Sequence, residues 1–337
     1  MTRISNKRPT VRDVARVAGV STATVSRALQ SPDIVSKKTR DAVFAAVSET
    51  GYSINTAAQM LRRNRSGTVL VILPDISNPF FSKILSGIEE VATRAGLTIL
   101  IGNTNGDDTR YTKILENLRN GRADGALILN GVAPPDGMLP EGTPAVSISE
   151  RLEGSDYPHV GTDNQKAAFD ATQYLIDQGH TKIAHITGPL GNALTEDRLS
   201  GYIQAMTEAG LSDHIRSIPG GFTYADGEQA AKQLIHSWPD ATAAFCANDE
   251  SAMGVIRRLQ QQDYAVPDQI SVMGFDDVPF SRIFQPELTT VHQARNLIGQ
   301  RAMEKLFEQL ENNTSPSGSV FLEHTIVTRN SVAKPPK

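Results

Sequence analysis

A single cysteine, Cys246, stands in the 337-residue chain, so no disulfide can form within it and a disulfide-stapled secreted scaffold is excluded. Long apolar runs are missing too. Stretches such as Val69 to Leu73 fall far short of the ~20 residues that a membrane-spanning helix needs. The opening MTRISNKRPT is basic, but no apolar segment follows it, so the expected compartment is the cytoplasm. There is no G-x-x-x-x-G-K-[ST] loop and no G-x-G-x-x-G after the first apolar segment, which leaves nucleotide hydrolysis and dinucleotide redox chemistry without a phosphate cradle. A G-x-S-x-G elbow and zinc-type spacings are also absent, and the seven histidines are scattered. No catalytic centre, metal or cofactor is therefore expected, and Cys246, in an apolar stretch, reads as an inert core thiol.

What is present is an ordinary globular composition, 39% hydrophobic and 21% charged, with enough length for two or three folding units. The net charge of −4 conceals a division. Residues 1–65 hold 12 Lys and Arg against four acids, and the rest of the chain carries 21 basic and 33 acidic residues. A basic module made for a polyanion, joined to an acidic body with another task, is the simplest organisation that fits.

In the basic part, Thr10 can cap a helix whose stripe is Val11, Val14, Ala15 and Ala18, and Gly19 ends it. After the turn at Gly19-Val20, Ser21 can cap a second helix that buries Val25, Ala28 and Leu29. A third runs from Ser36 through Val43, Ala46 and Val47 to Gly51. Two short helices around such a turn make a helix-turn-helix, whose second helix enters the major groove of DNA. Thr22, Ala23 and Arg27 face outward there: Arg27 can read guanine, while Ala23 and the Thr22 methyl can touch thymine methyls. Ser21, Thr24 and Ser26 offer hydroxyls to phosphates, and Lys37, with Lys38 and Arg40, adds backbone charge. A protein-binding three-helix bundle is the competing reading.

The stretch TVRDVARVAGVSTATVSRALQSPDIVSKKTRDAVFAAVSETGY resembles the DNA-binding head of the LacI/GalR family of bacterial transcription regulators, and VSTATVSRAL is most similar to its cytidine repressor branch. The resemblance extends to about Ala333 and implies a homodimer on double-stranded operator DNA, controlled by a small-molecule effector. It also implies that the TAAQMLRR segment is a hinge helix formed over DNA, with Leu61 as a minor-groove wedge and Asn55 and Ala58 at other matching contact positions. Alone, two helical turns are too short to be stable in water, and a flexible tether whose Leu61 packs on the body is the alternative.

From Thr68 onward apolar strands alternate with amphipathic helices, the pattern of parallel sheets covered on both faces. SGIEEVATRAGL and SGYIQAMTEAGL share six of twelve residues, an echo that suggests two equivalent doubly wound lobes across a cleft. The expected fold is thus an all-α helix-turn-helix head joined to an α/β body of two doubly wound parallel-sheet lobes, periplasmic binding protein-like. The expected boundaries are 1–54 for the head, 55–66 for the linker and 67–337 for the body, whose first lobe takes about 67–163 and 294–320 and whose second takes about 164–293 and 321–333. A single strand is expected near VFLEHTIVTRN.

Ligands of open parallel sheets bind beyond the carboxyl ends of the strands, which selects loops from both lobes. The family resemblance matches Phe80, Phe81, Arg198, Phe222, Asn248, Asp276 and Gln293 to effector-pocket positions. In that scheme Arg198 clamps the ligand, Phe222 stacks on a ring and Asp276 grips a sugar diol. Each also has a bland reading: the phenylalanines as core, Arg198 and Asp276 paired to other charges, Asn248 and Asp249 as helix caps. The position of a purine-reading arginine in this family holds Asn192, while Leu194 and the GFTYADG segment favour a nucleoside over a free purine base. A sugar or polyol is the runner-up. A solute-binding protein or an enzyme on the same body fold is the reading from another class, and the basic head argues against both.

Overall fold

The computed structural model describes residues 9–30, 32–52, 65–152, 154–312 and 318–336, and the chain divides between residues 64 and 65 into two units. In the first, α1 (Val11–Ala18) begins where the Asp13 carboxylate accepts from the Thr10 N–H and hydroxyl at 2.8 and 2.7 Å. It ends at Gly19, whose φ of 66° is a left-handed turn that glycine adopts without a Cβ clash. The Ser21 hydroxyl then accepts the Thr24 N–H at 3.1 Å and starts α2 (Thr22–Gln30). Ser36 does the same for α3 (Lys37–Thr50) through the Thr39 N–H. Val14, Ala15, Val25, Ala28, Val43 and Ala46 close a small core among the three helices.

The second unit holds two six-stranded sheets. Its chain order runs β1 (Thr68–Leu73), α4 (Pro79–Arg94), β2 (Thr98–Asn103), α5 (Asp108–Arg119), β3 (Gly125–Ile128), β4 (Ala145–Ile148) and β5 (His159–Thr162). It then crosses to α6 (Asn164–Asp177), β6 (Ile183–Ile186), α7 (Ala193–Glu208), β7 (Arg216–Ile218), α8 (Tyr224–Ser237), β8 (Ala243–Cys246), α9 (Asp249–Gln261), β9 (Ser271–Asp276) and β10 (Thr289–Gln293). The chain returns with α10 (Arg295–Asn312) and β11 (Ser319–Leu322), and crosses a third time to β12 (His324–Val327). The first sheet has the order β11-β5-β4-β3-β1-β2, all parallel. The second is β12-β10-β9-β8-β6-β7, parallel except that β12 lies antiparallel on β10. Central strands are buried on both faces, as helices on both sides require; Val69 to Leu73 are at most 1% exposed, each contributing about 1.5–3 kcal/mol by its burial.

The internal echo has a packing cause. Gly87 on α4 and Gly201 on α7 sit at equivalent helix crossings, where an added Cβ would come within 2.0 Å of the Asn296 carbonyl and 2.1 Å of the Gln165 carbonyl. Small residues there let backbones approach.

Three expectations need correction. The VFLEHTIVTRN segment forms two strands in different sheets, because Glu323 marks the crossing. Pairing of β11 with β5 carries the first sheet to Leu322 rather than about 320. The body begins at Arg65, whose guanidinium donates to the Leu310 carbonyl and to Glu311 Oε1. No helix among the described residues is long and apolar enough to cross a membrane.

Candidate functional site

On the head, Thr22, Ala23 and Arg27 are exposed along α2, and Ser26 is half-buried. No carboxylate among the described residues lies within ion-pair distance of Arg27, so its fork is free for a partner. The hydroxyls of Ser21 and Thr24 lie 2.9 Å apart and build the helix start, so part of their bonding capacity is spent internally. Lys37 is exposed at the start of α3, while Arg40 leans toward Asp33 and Asp41 at 3.7 and 4.0 Å. Asn55, Ala58 and Leu61 lie outside the described residues.

In the body, the carboxyl ends of both sheets converge on a cleft of about 300 Å³. The first lobe lines it with Phe80 and Phe81, whose rings meet edge to face at 5.2 Å, and with Asp75, Asn130, Ser149 and Glu150. Asn78 caps α4 by accepting the Phe80 N–H at 2.9 Å, which sets the two rings at the helix start. From the second lobe come Asn192, Leu194, Arg198, Phe222, Asn248, Glu250 and Asp276.

Arg198 is 3% exposed and held on three sides. Its Nε donates to Asn164 Oδ1 at 3.0 Å, its Nη1 donates to the Ala247 carbonyl, and its carbon lies 3.8 Å from the Phe275 ring centroid. Nη2 has no acceptor among the described residues. Burial pulls its pKa down, opposed by Asp276, Glu150, Asp197 and Asp249. An immobilised guanidinium with one edge open suits a ligand oxygen.

Asp276 ends β9 with φ 120°, a conformation that L-residues rarely adopt and that costs about 1–3 kcal/mol. Burial raises its carboxyl pKa, while Arg198, Arg295 and the Gln293 amide pull it back toward ionisation. Gln293 Nε2 donates to Asp276 Oδ1 at 2.7 Å, and Gln293 Oε1 accepts from Thr162 Oγ1 at 2.9 Å. Gln293 thus sits behind Asp276 and ties the second lobe to the end of β5, outside the residues that line the cleft.

Asn248 lines the cleft, but its Oδ1 caps α9 by accepting the Ser251 N–H at 2.9 Å, and its Nδ2 donates to the Phe222 carbonyl at 2.8 Å. It therefore places Phe222, whose ring also needs Gly188, where a Cβ would stand 2.7 Å from it. Asp249 is fully buried, with Ser281 Oγ, Thr290 Oγ1 and the Val278 N–H on its carboxylate. It braces the β9–β10 end of the wall.

Between the lobes, Glu150 Oε1 accepts from Asn192 Nδ2 at 2.6 Å and Arg151 approaches Asp197 at 3.4 Å. Gly131 leaves the room: a Cβ there would come within 2.1 Å of the Glu150 carboxyl carbon. Burial pushes the Glu150 carboxyl up to about 7, against the pull of Arg198. Ser149 has φ 63°, and its buried hydroxyl has no partner among the described residues. Glu250 has no mark in the sequence as a cleft residue, because it looks like an ordinary first-turn acid of α9. Burial raises its carboxyl as well. Among the described residues no cluster of His, Cys, Asp and Glu could hold a metal ion. Cys246 is fully buried, which pushes its thiol far up.

Comparison with known proteins agrees with both parts. Residues 10–55 match the family model described as bacterial regulatory proteins, lacI family, and residues 172–332 match the periplasmic binding protein-like domain. The chain is 38% identical over 326 residues to the HTH-type transcriptional repressor CytR of Escherichia coli K12, covering 96% of each. Among solved structures, the lac repressor dimer bound to operator and the anti-inducer ONPF superposes with a TM-score of 0.86 at 26% identity, over 97% of this chain and 100% of that one. A LacI family transcriptional regulator from Enterococcus faecium with bound ribose superposes on 79% of this chain and 98% of its own, with a TM-score of 0.70 at 26% identity. With a head and a body that match in order, and a repressor related over nearly the whole length, the chain belongs to the lacI family of bacterial regulatory proteins.

Proposed function

We propose that this protein is a cytoplasmic repressor, not an enzyme, that binds operator DNA as a homodimer and is controlled by a neutral nucleoside held in the cleft between its lobes. The observation that carries the ligand class is the charge of the lining: Asp75, Glu150, Glu250 and Asp276 face one guanidinium, Arg198. Surplus carboxylate repels a phosphate ester and accepts hydrogen bonds from hydroxyls and amino groups. Asp276 takes two vicinal hydroxyls, Arg198 donates to a ligand oxygen, and Phe222, Phe80 and Phe81 cover the ring faces. A ribose ligand in a family relative supports the sugar half of this reading.

Thr22, Ala23 and Arg27 read base edges, Ser21, Thr24, Ser26 and Lys37 hold phosphates, and residues 55–64 form the linker in which Leu61 enters the minor groove, with Asn55 and Ala58 as further DNA contacts. Closure of the lobes on the ligand shifts the first lobes of the dimer against each other, and operator and ligand then alter each other's affinity by the same factor.

The test is a titration of full-length protein with cytidine, adenosine, ribose, a hexose and the matching nucleoside 5′-monophosphates, with and without a duplex selected from random DNA. Saturable binding of a nucleoside that changes duplex affinity is the expected result; binding of the hexose alone replaces the nucleoside with a sugar. On the DNA side, Arg27→Ala lowers affinity for the selected duplex by about 1–3 kcal/mol while random DNA is bound nearly as before. An equal loss on both removes Arg27 from base reading.

A further inference from the structure

A second cavity, of about 620 Å³, lies beside the crossing from β10 to α10. Lys83 of α4 reaches it from the first lobe, and Arg282 and His292 from the second. Arg295, the first residue of α10, lies at their meeting point. The one carboxylate in this lining, Asp277, is already used: its Oδ1 accepts from Arg329 Nη2 at 2.5 Å and its Oδ2 lies 2.9 Å from His292 Nδ1. Lys83, Arg282 and Arg295 form no ion pair with a carboxylate among the described residues, although the charge of Arg295 is felt by Asp276.

Arg295 is 6% exposed. Its Nη2 donates to the Asp277 carbonyl at 2.6 Å, but Nε and Nη1 have no partner among the described residues. A buried guanidinium with unfilled donors calls for an acceptor, and a charged one answers both needs. The 18-residue α10 starts at the same place. Ala294, ahead of it, has no side chain that can cap, and no described residue accepts from the N–H groups of Arg295, Asn296 or Leu297. Open amides at a long helix's N-terminus attract anions.

We propose that this cavity is an anion site that takes a phosphate group, held by Arg295, Arg282, Lys83 and the first amides of α10. A phosphate there bridges α4 of the first lobe to Arg282 of the second, so its occupancy bears on how the lobes close. The assignment is independent of what fills the acidic cleft, which by its charge rejects the same ion.

The experiment titrates full-length protein with inorganic phosphate against potassium chloride at matched ionic strength, reading the unfolding midpoint and the phosphorus NMR line width. A saturable stabilisation with phosphate but not chloride is expected, weakened about tenfold or more by Arg282→Gln, whose exposed side chain can change without disturbing the core. Arg295→Gln and Lys83→Gln are expected to weaken it further. Tighter binding of glycerol phosphate than of the free ion assigns the site to a phosphorylated metabolite; the reverse assigns it to phosphate itself. Identical responses to phosphate and chloride, or wild-type affinity in both Arg282→Gln and Lys83→Gln, overturn the proposal. So does phosphate binding that disappears as protein concentration rises, which makes the cavity a contact between copies.

Discussion

Asp276 and Asp277 are neighbours in sequence and serve opposite surroundings. The first faces a cleft with four carboxylates and one guanidinium; the second faces a cavity whose other charged groups are cationic. Both residues hold a positive φ, 120° and 55°, and their side chains line different cavities. Asp276 is held on one oxygen by Gln293. Asp277 is bonded on both by Arg329 and His292, and although burial works to raise its pKa, those partners hold its carboxyl below the usual range. One acid keeps an oxygen without a hydrogen-bond partner among the described residues at the cleft, and the other is locked into structure. Charge alone does not mark a binding residue; what distinguishes the two is how much of the carboxylate the protein has already satisfied.

The sharpest way to break this comparison is to remove each acid in turn. Asp277→Ala leaves the half-buried Arg329 guanidinium with only the Leu288 carbonyl as acceptor and should lower unfolding free energy by about 3 kcal/mol, measured by urea titration. Asp276→Ala should leave the fold closer to intact but weaken nucleoside binding about 100-fold by calorimetry, from the loss of two charge-assisted hydrogen bonds. Equal stability losses with unchanged affinity would reverse the roles assigned above.

A smaller effect sharpens it on the first-lobe side. The folded protein holds the Glu150 proton up to about pH 7, above the ordinary value of 4.5. Its contribution to stability therefore falls as pH rises from 4.5 to 7 and is flat above. A ligand that donates to the carboxylate needs the ionised form, so affinity for an amino-bearing nucleoside should rise about tenfold between pH 6 and pH 8. Glu150→Gln should flatten that profile, and a flat profile in the unaltered protein would remove Glu150 from ligand contact.

The three head helices were legible because each carries its own local punctuation, Thr10, Ser21 and Ser36 at the starts and Gly19 and Gly51 at two of the ends. Strands such as Thr68–Leu73 were legible as unbroken apolar runs. β5 was not: HVGT is four residues long, buried on both faces, and has neither a run of large apolar side chains nor an alternation. At the site, residue type was readable but bonding was not. Gln293 was readable as a polar residue for the cleft, yet where its amide points depends on Thr162, far away in sequence. Asn248 shows the same limit, since its capping role is local and its hold on Phe222 is not. The cationic cavity went unread because Lys83, Arg282 and Arg295 come from separate segments with no common motif.

The backbone passes between the lobes three times, after Thr162, Gln293 and Leu322. A lobe on one tether could swing in any direction, whereas three adjacent threads resist sliding and leave mainly a jaw-like rotation about the line that joins them. Any molecule that settles in the cleft therefore has a single angle to set, and the far end of the first lobe receives that angle as a displacement.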